Sequence, residues 1–258
     1  MAQENILVEI KDHIGVITLN RPDEMNTFTV PFARALNNAL LDMEGDDQVR
    51  VIVIKGAGKH FSTGISLDEF KDKSHWQYRE LIRMMDEHNH TIADMKKPVI
   101  ASVKGYALAN GAGLVFACDL AVASEGAKFG TTAINVGLIC LGPAVPLSRS
   151  VGRKKTLEMV LTGDIIPASE AENLGLINRV VPEDELEKAT MELAGKIAAK
   201  NPFSVQIGKG GIYGMQDLPY HQALDYLGEL FAALCSTEDA HEGIQAFVEK
   251  RDPMWKGR

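Results

Sequence analysis

The sequence contains no apolar run near the roughly 20 residues that a membrane-spanning helix needs, so the chain is expected to work without a membrane. It is also poor in cysteine: Cys118, Cys140 and Cys235 show neither disulfide-framework nor metal-ligand spacing, which points to unpaired thiols in a reducing compartment. Basic charge is scarce too. A formal net charge of -8 and a pI near 5.4 exclude the broad basic face that general nucleic-acid binding requires. The first residues, Met1 to Asn5, lack the basic start and apolar stretch of a secretion signal, and a cytoplasmic location is expected. Low-complexity segments are absent as well. With 258 residues and 45% hydrophobic content, the chain has material for a substantial core.

Residues Ile6 to Ile10 and Ile14 to Leu19 read as strands joined at Asp12-His13. From Thr29, an N-cap with Pro31 in the first turn, the spacing of Phe32, Leu36, Leu40 and Met43 predicts an amphipathic helix to about Gly45. Strands are expected at Val51 to Ile54 and Val99 to Val103, with a long helix over about Trp76 to Met95 between them. An apolar helix over Gly113 to Cys118 then leads to strand-like runs at Asp119 to Ala123 and Lys128 to Gly130. Beyond these, Lys154 to Leu161 reads as helix, Ser169 to Glu172 as a capping box, and Leu176 to Val181 as a strand. Glu183 to Lys200, Tyr220 to Cys235 and Thr237 to Arg251 read as helices. The expected organisation is an α/β core over 1–200 and a helical C-terminal region over 201–258, divided near Asn201-Pro202.

Two segments are suited to aiming main-chain N–H groups at one atom: Phe61 to Leu67 and Ala107 to Leu114. Each follows a strand, each carries glycine where the backbone must come close, and the second runs into a helix whose N-terminus favours negative charge. Converging donors of this kind suit an enolate or a tetrahedral oxyanion at a thioester carbonyl. Neither segment carries an obvious catalytic acid, nor does Phe129 to Gly137.

In their order and spacing, Ile17-Thr18-Leu19-Asn20-Arg21-Pro22 with Asn26, Phe61-Ser62-Thr63-Gly64-Ile65, Lys97-Pro98-Val99, Gly105-Tyr106-Ala107, Cys118-Asp119, Phe129-Gly130, Leu161-Thr162-Gly163 and Ala246 to Arg251 resemble the crotonase superfamily of enoyl-CoA hydratases and isomerases. The likeness covers nearly the whole chain. It implies a crotonase-like spiral of ββα repeats, a helical C-terminal region that makes a homotrimer or a dimer of trimers, and an acyl-CoA ligand. No prosthetic group is implied; coenzyme A enters only as part of the thioester. The implied oxyanion donors are the backbone N–H groups of Ile65 and Asn110, the latter standing where most members have glycine. For coenzyme A the resemblance implies Glu24, Met25, Asn26, Lys59, Phe61, Ser62, Thr63 and Ser66, with Phe247 and Lys250 reaching ligand from the same or a neighbouring subunit. Lys59 reads equally as a phosphate partner or a solvated lysine, and His60 leaves the same two readings open.

The departures are as informative. Family hydratases resemble one another in a glutamate pair that activates the added water; the matching positions here are Gly113 and Ala133, and a third acidic position falls near Leu141. None can move a proton. Small residues at Gly113 and Ala133 suggest spare volume for a bulkier acyl group. Asp68 and Glu69 read as helix-capping or solvent-facing rather than catalytic. His88 and His90, two apart on the long helix, cannot both face the acyl pocket. Asn135 could hydrogen-bond a substrate oxygen, and Cys140 reads as a buried small hydrophobe. Ile134 to Leu138 and Leu147 to Lys154 are similar to the enoyl-CoA hydratase domain-containing proteins that also lack the glutamate pair. Three functions stay open at this point: an acyl-CoA enzyme with a non-standard proton donor or none, a non-catalytic acyl-CoA binder, and an assembly protein.

Overall fold

The computed structural model describes residues 4–257. The chain opens with a hairpin, β1 (Ile6–Lys11) and β2 (Ile14–Leu19), that turns through Asp12 and His13 at φ 51° and 64°, the positive values a two-residue primed turn demands. α1 (Val30–Gly45) follows, its first turn held by the Thr29 side chain accepting the Phe32 N–H. After β3 (Val51–Gly56), α2 (His75–Asp94) starts at a capping box in which Ser74 and Gln77 satisfy each other's N–H groups. β4 (Val99–Val103), β5 (Tyr106–Leu108) and α3 (Asn110–Ala117) make the next turn of chain, then β6 (Leu120–Ser124), β7 (Lys128–Gly130) and α4 (Leu141–Thr162). β8 (Ile165–Pro167), α5 (Ala168–Asn173), β9 (Arg179–Val181) and α6 (Leu186–Ala198) complete the core, and α7 (Pro202–Met215), α8 (Tyr220–Cys235) and α9 (Glu238–Glu249) follow.

The strands form two layers. A six-stranded sheet runs β1-β2-β3-β4-β6-β9, parallel from β2 onward, and a three-stranded sheet runs β5-β7-β8. The chain thus winds as a spiral whose repeating unit is a strand of the large sheet, a short extended segment in the second layer, and a helix. β3 and β4 read as nearly unbroken apolar runs because the sheet is covered on both faces. Successive residues divide accordingly: Ile52 and Ile54 enter the main core with Phe32, Leu36 and Phe116, whereas Val51 and Val53 pack under Ala194 and Ala198 of α6.

The C-terminal helices attach to this core through a buried ion pair. Lys209 of α7 donates to Asp119 (2.8 Å) and to the Lys97 carbonyl (3.1 Å), and the Tyr213 hydroxyl donates to the other Asp119 oxygen at 2.9 Å. Asp119 also accepts the Val99 N–H at 2.7 Å, so one carboxylate joins α7 to the start of β4. Burial and the adjacent Asp119 carboxylate push the Tyr213 hydroxyl pKa upward.

Several expected boundaries shift. The capping box at Ser169 to Glu172 does not form: the extended β8 runs to Pro167, which becomes the N-cap, so Ser169 falls inside α5. Glu170 instead binds Lys155, and Glu172 accepts the Val180 N–H. The final strand is shorter than expected, Arg179–Val181. α4 begins thirteen residues before Lys154, at Leu141: a first helical segment runs to a kink at Gly152 (φ 74°, ψ 172°), and the expected helix is the second segment beyond it. α7 was not foreseen; its glycines at 208, 210, 211 and 214 mask the pattern, yet Asn201 caps it firmly through the Phe203 and Ser204 N–H groups.

Candidate active site

The two donor segments meet because the spiral brings successive repeats into parallel pairing. Ser62 bridges Ala107, and the Leu108 N–H donates to the Ser62 carbonyl at 2.9 Å. Counting forward from that pair, Ile65 and Asn110 each lie three residues on, the same place in consecutive repeats. Neither N–H donates to an acceptor among the described residues. For Asn110 this follows from its position at the first residue of α3, where intrahelical partners do not exist.

Close approach dictates the glycines. A Cβ on Gly64 (φ 99°) would stand 2.7 Å from Ala109 Cβ and 3.2 Å from the Asn110 nitrogen, and one on Gly111 would overlap the Ser62 carbonyl. Gly111 thus stands where the two turns touch. Asn110 does not carry the unusual dihedral. Ala109 does, at φ 47° and ψ -119°, while Asn110 is already helical and its side chain donates to the Met85 carbonyl at 2.9 Å. The second turn is thereby tied to α2.

The residues expected around coenzyme A divide into two sets. Asn26, Phe61 and Ser62 are fully buried and serve as scaffold. Asn26 accepts the Arg21 N–H and donates to the Ala57 and His60 carbonyls, and Ser62 Oγ donates to the Asn26 carbonyl at 2.8 Å. These bonds consume their side chains. Glu24, Met25 and Lys59 are exposed, and Thr63 and Ser66 half-buried, along one rim of the first turn, where the Thr63 N–H donates to the Met25 carbonyl. His60 accepts the Tyr106 N–H and stacks on that ring at 4.8 Å. Glu69 caps α1 by accepting the Val30 N–H, and Asp68 pairs with Lys71, which draws its carboxyl below the usual range. Phe247 and Lys250 stand exposed on α9 and at its C-cap, an element packed on α8 and carrying Gly243 against Trp255.

Around the acyl position the outcome differs more. His90 is exposed and His88 is buried behind the first turn, its ring 5.5 Å from Phe28, whose N–H donates to the Gly64 carbonyl. Desolvation lowers the His88 pKa to about 4 against a Met85 backbone bond that opposes it, and Nε2 has no hydrogen-bond partner. His88 is a neutral core residue, not a pocket lining. Asn135 is exposed and sits against Gly163, at the opposite end of α4 from Leu141, so it does not join the donor turns. Cys140 is buried, as a small hydrophobe would be. The spare volume expected at Gly113 is filled: a Cβ there would lie 2.8 Å from Cγ of Pro143.

One titratable group at this place was not foreseen. Asp86 on α2, one residue past the Met85 carbonyl that holds Asn110, lies against Gly142, whose Cβ would stand 2.6 Å from Asp86 Cγ. Burial raises its pKa to about 6, with His90 opposing. The available signal was its place beside the inward stripe Leu81, Met85, His88, Ile92. A separate cavity of about 840 Å³ opens between the core helices and α7 near Phe116, Val145 and Tyr213; neither donor turn lines it. Among the described residues no group of three or more potential metal ligands occurs.

Residues 9–258 match the family model for enoyl-CoA hydratase/isomerase. The chain is 36% identical, over 100% of both sequences, to a probable enoyl-CoA hydratase of Rhizobium meliloti. It is 37% identical to the mouse mitochondrial enoyl-CoA hydratase domain-containing protein 3, over 95% of this chain and 82% of that one. Among solved structures, the Mycobacterium smegmatis enoyl-CoA hydratase superposes with a TM-score of 0.95 at 36% identity, covering 98% of this chain and 99% of that one. The human domain-containing protein 3 gives 0.94 at 35% identity, covering 98% and 100%. Fold and sequence agree: the chain belongs to the enoyl-CoA hydratase/isomerase family of the crotonase superfamily.

Proposed function

We propose that the protein binds an acyl-CoA thioester and stabilises the charge that develops on the thioester oxygen, as enolate or oxyanion, with the N–H groups of Ile65 and Asn110. The observation that carries this reading is the pairing of Ser62 with Ala107, which leaves two N–H groups without acceptors among the described residues at equivalent positions of adjacent repeats. Fixed donors of this kind need no reorganisation when charge appears, and each contributes on the order of 3 kcal/mol where a comparable donor has been removed. The names of the relatives support a coenzyme A thioester as the ligand. Glu24, Met25, Lys59, Thr63 and Ser66 form the rim on which adenine and phosphates would rest, with Asn26, Phe61 and Ser62 supporting it from below. No prosthetic group enters this reading.

A homotrimer or a dimer of trimers is part of the same reading. Leu224, Phe231, Ile244, Phe247 and Val248 on α8 and α9 are exposed in the single chain, an apolar surface that assembly would cover. Phe247 and Lys250 would then approach a neighbour's ligand. Because Gly113 and Ala133 carry no proton, hydration of crotonyl-CoA should be slow. Those two positions favour a second reading, an acyl-CoA binder without turnover.

Calorimetric titration tests the proposal by comparing butyryl-CoA with its thioether counterpart, which lacks the carbonyl oxygen. The thioester should bind at least several-fold tighter. Equal affinity for the two would remove the oxyanion role.

A further inference from the structure

The two positions that lack an acid converge on a residue that has one. From Gly113 the path is short: the glycine touches Pro143, and Gly142 beside it touches the Asp86 carboxylate. From Ala133 the link is electrostatic. The Ala133 main chain lies at the Cys140 thiol, whose pKa burial raises and Asp86 raises further. Asn110 closes the circuit, since its side chain binds the carbonyl of Met85, the residue before Asp86.

The carboxylate itself has no hydrogen-bond or ion-pair partner among the described residues. That is unusual for a half-buried acid, which ordinarily acquires a donor or a cation. Glu87 and Glu80, on the same helix, both pair with Arg83. Asp86 is left unpaired where its carboxylate packs on Gly142, a position at which a Cβ would overlap it.

Resting on the acyl-CoA reading above, we propose that Asp86 is the proton-transferring group of this site, replacing from α2 the acids absent from α3 and from the segment after β7. In its carboxylate form it takes a proton from the carbon next to the thioester carbonyl. The C–H electron pair becomes the carbon–carbon π bond of the enolate, the carbonyl π pair moves onto oxygen, and Ile65 and Asn110 hold that charge. Return of the proton from the Asp86 carboxylic acid reverses the step, and no other reactant is consumed. Burial, which lifts Asp86 to about 6, gives it the balance of base strength and ionisation that such transfer needs near neutrality. Among the described residues, the titratable groups coupled to it are His90 on its own helix and Cys140 at the N-cap of α4; no group of α1, which also packs on α2, is coupled to it, and α3, from Asn110 to Ala117, carries no titratable side chain.

The test is exchange of the α-protons of butyryl-CoA in deuterated water, followed by NMR, alongside calorimetric binding of the same thioester. The full-length protein should catalyse exchange that rises with pH through about 6. Asp86→Asn should lower exchange by about 100-fold or more while changing affinity less than about threefold. Gly142→Ala, which keeps the acid but crowds it, should also lower exchange with binding retained. Exchange that persists in Asp86→Asn, or wild-type protein that binds the thioester without exchanging it, overturns the proposal alone. A wild-type protein that binds no butyryl-CoA overturns the acyl-CoA reading as well.

Discussion

Gly113 packs on Pro143 so closely that a Cβ on the glycine would stand 2.8 Å from the proline Cγ and 3.2 Å from its Cα. A rigid ring and main chain cannot swing aside as a flexible side chain would. Gly113→Glu should therefore lower stability by about 1–3 kcal/mol and should not create hydratase activity. Urea unfolding and the loss of crotonyl-CoA absorbance measure the two outcomes. Hydration raised tenfold or more in Gly113→Glu would mean that Pro143 yields.

Ala109 holds a dihedral pair that glycine adopts freely and alanine does not. Ala109→Gly should relieve that strain and raise stability by about 0.5–1 kcal/mol despite the greater freedom of the unfolded chain. Ligand affinity should stay within about twofold, because the amide of Asn110 is untouched. A lower melting temperature in the variant would show that the Ala109 methyl, which faces Gly64, stabilises more than the dihedral costs.

Two groups on α2 give stability opposite pH dependences. His88, depressed from 6.5 to about 4, favours the folded state only while neutral, so stability is full above pH 6.5 and is lost as pH falls through 4, by about 3 kcal/mol at most. Asp86, raised from 3.8 to about 6, behaves inversely: its contribution is full below 3.8 and is lost as pH rises through 6. His88→Leu should flatten the acid limb of a stability-against-pH curve. Asp86→Asn should raise stability near pH 7 by about 1–3 kcal/mol, and a curve unchanged by both substitutions would contradict these assignments.

Lys209→Met should be costly. It strips the cation from a largely buried carboxylate, leaving the Asp119 charge with only the neutral Val99 N–H and Tyr213 hydroxyl as partners, at about 3–5 kcal/mol. The pair variant Lys209→Met with Asp119→Leu should recover part of that loss. Chemical denaturation of the two variants and the parent provides the comparison.

The spiral followed only from the family resemblance, whereas individual strands, α1 and the close approach of the two glycine-bearing turns were legible from local signals: apolar runs for covered strands, Thr29 with Pro31 for α1, and glycine where backbones touch. Asp86 was not, since its significance comes from Gly142, fifty-six residues later, and no pattern within α2 records that contact. Pro143 escaped for the same reason. α7 and the first half of α4 were hidden by Gly and Pro residues that lower helix propensity, which packing against the core overrides. Ser169 to Glu172 misled because a capping box requires an extended residue at its head, and the end of β8 fixed that role two residues earlier.

The Ser62–Ala107 bridge joins main chain to main chain, so the register of the two turns is set by the backbone, while the Asn110 side chain ties the second of them to α2. On the proposed acyl-CoA reading, a substitution at Asp86 or at the head of α4 would alter proton transfer and leave that backbone register in place. In that arrangement the group that moves protons would be exchangeable independently of the amides that would hold charge.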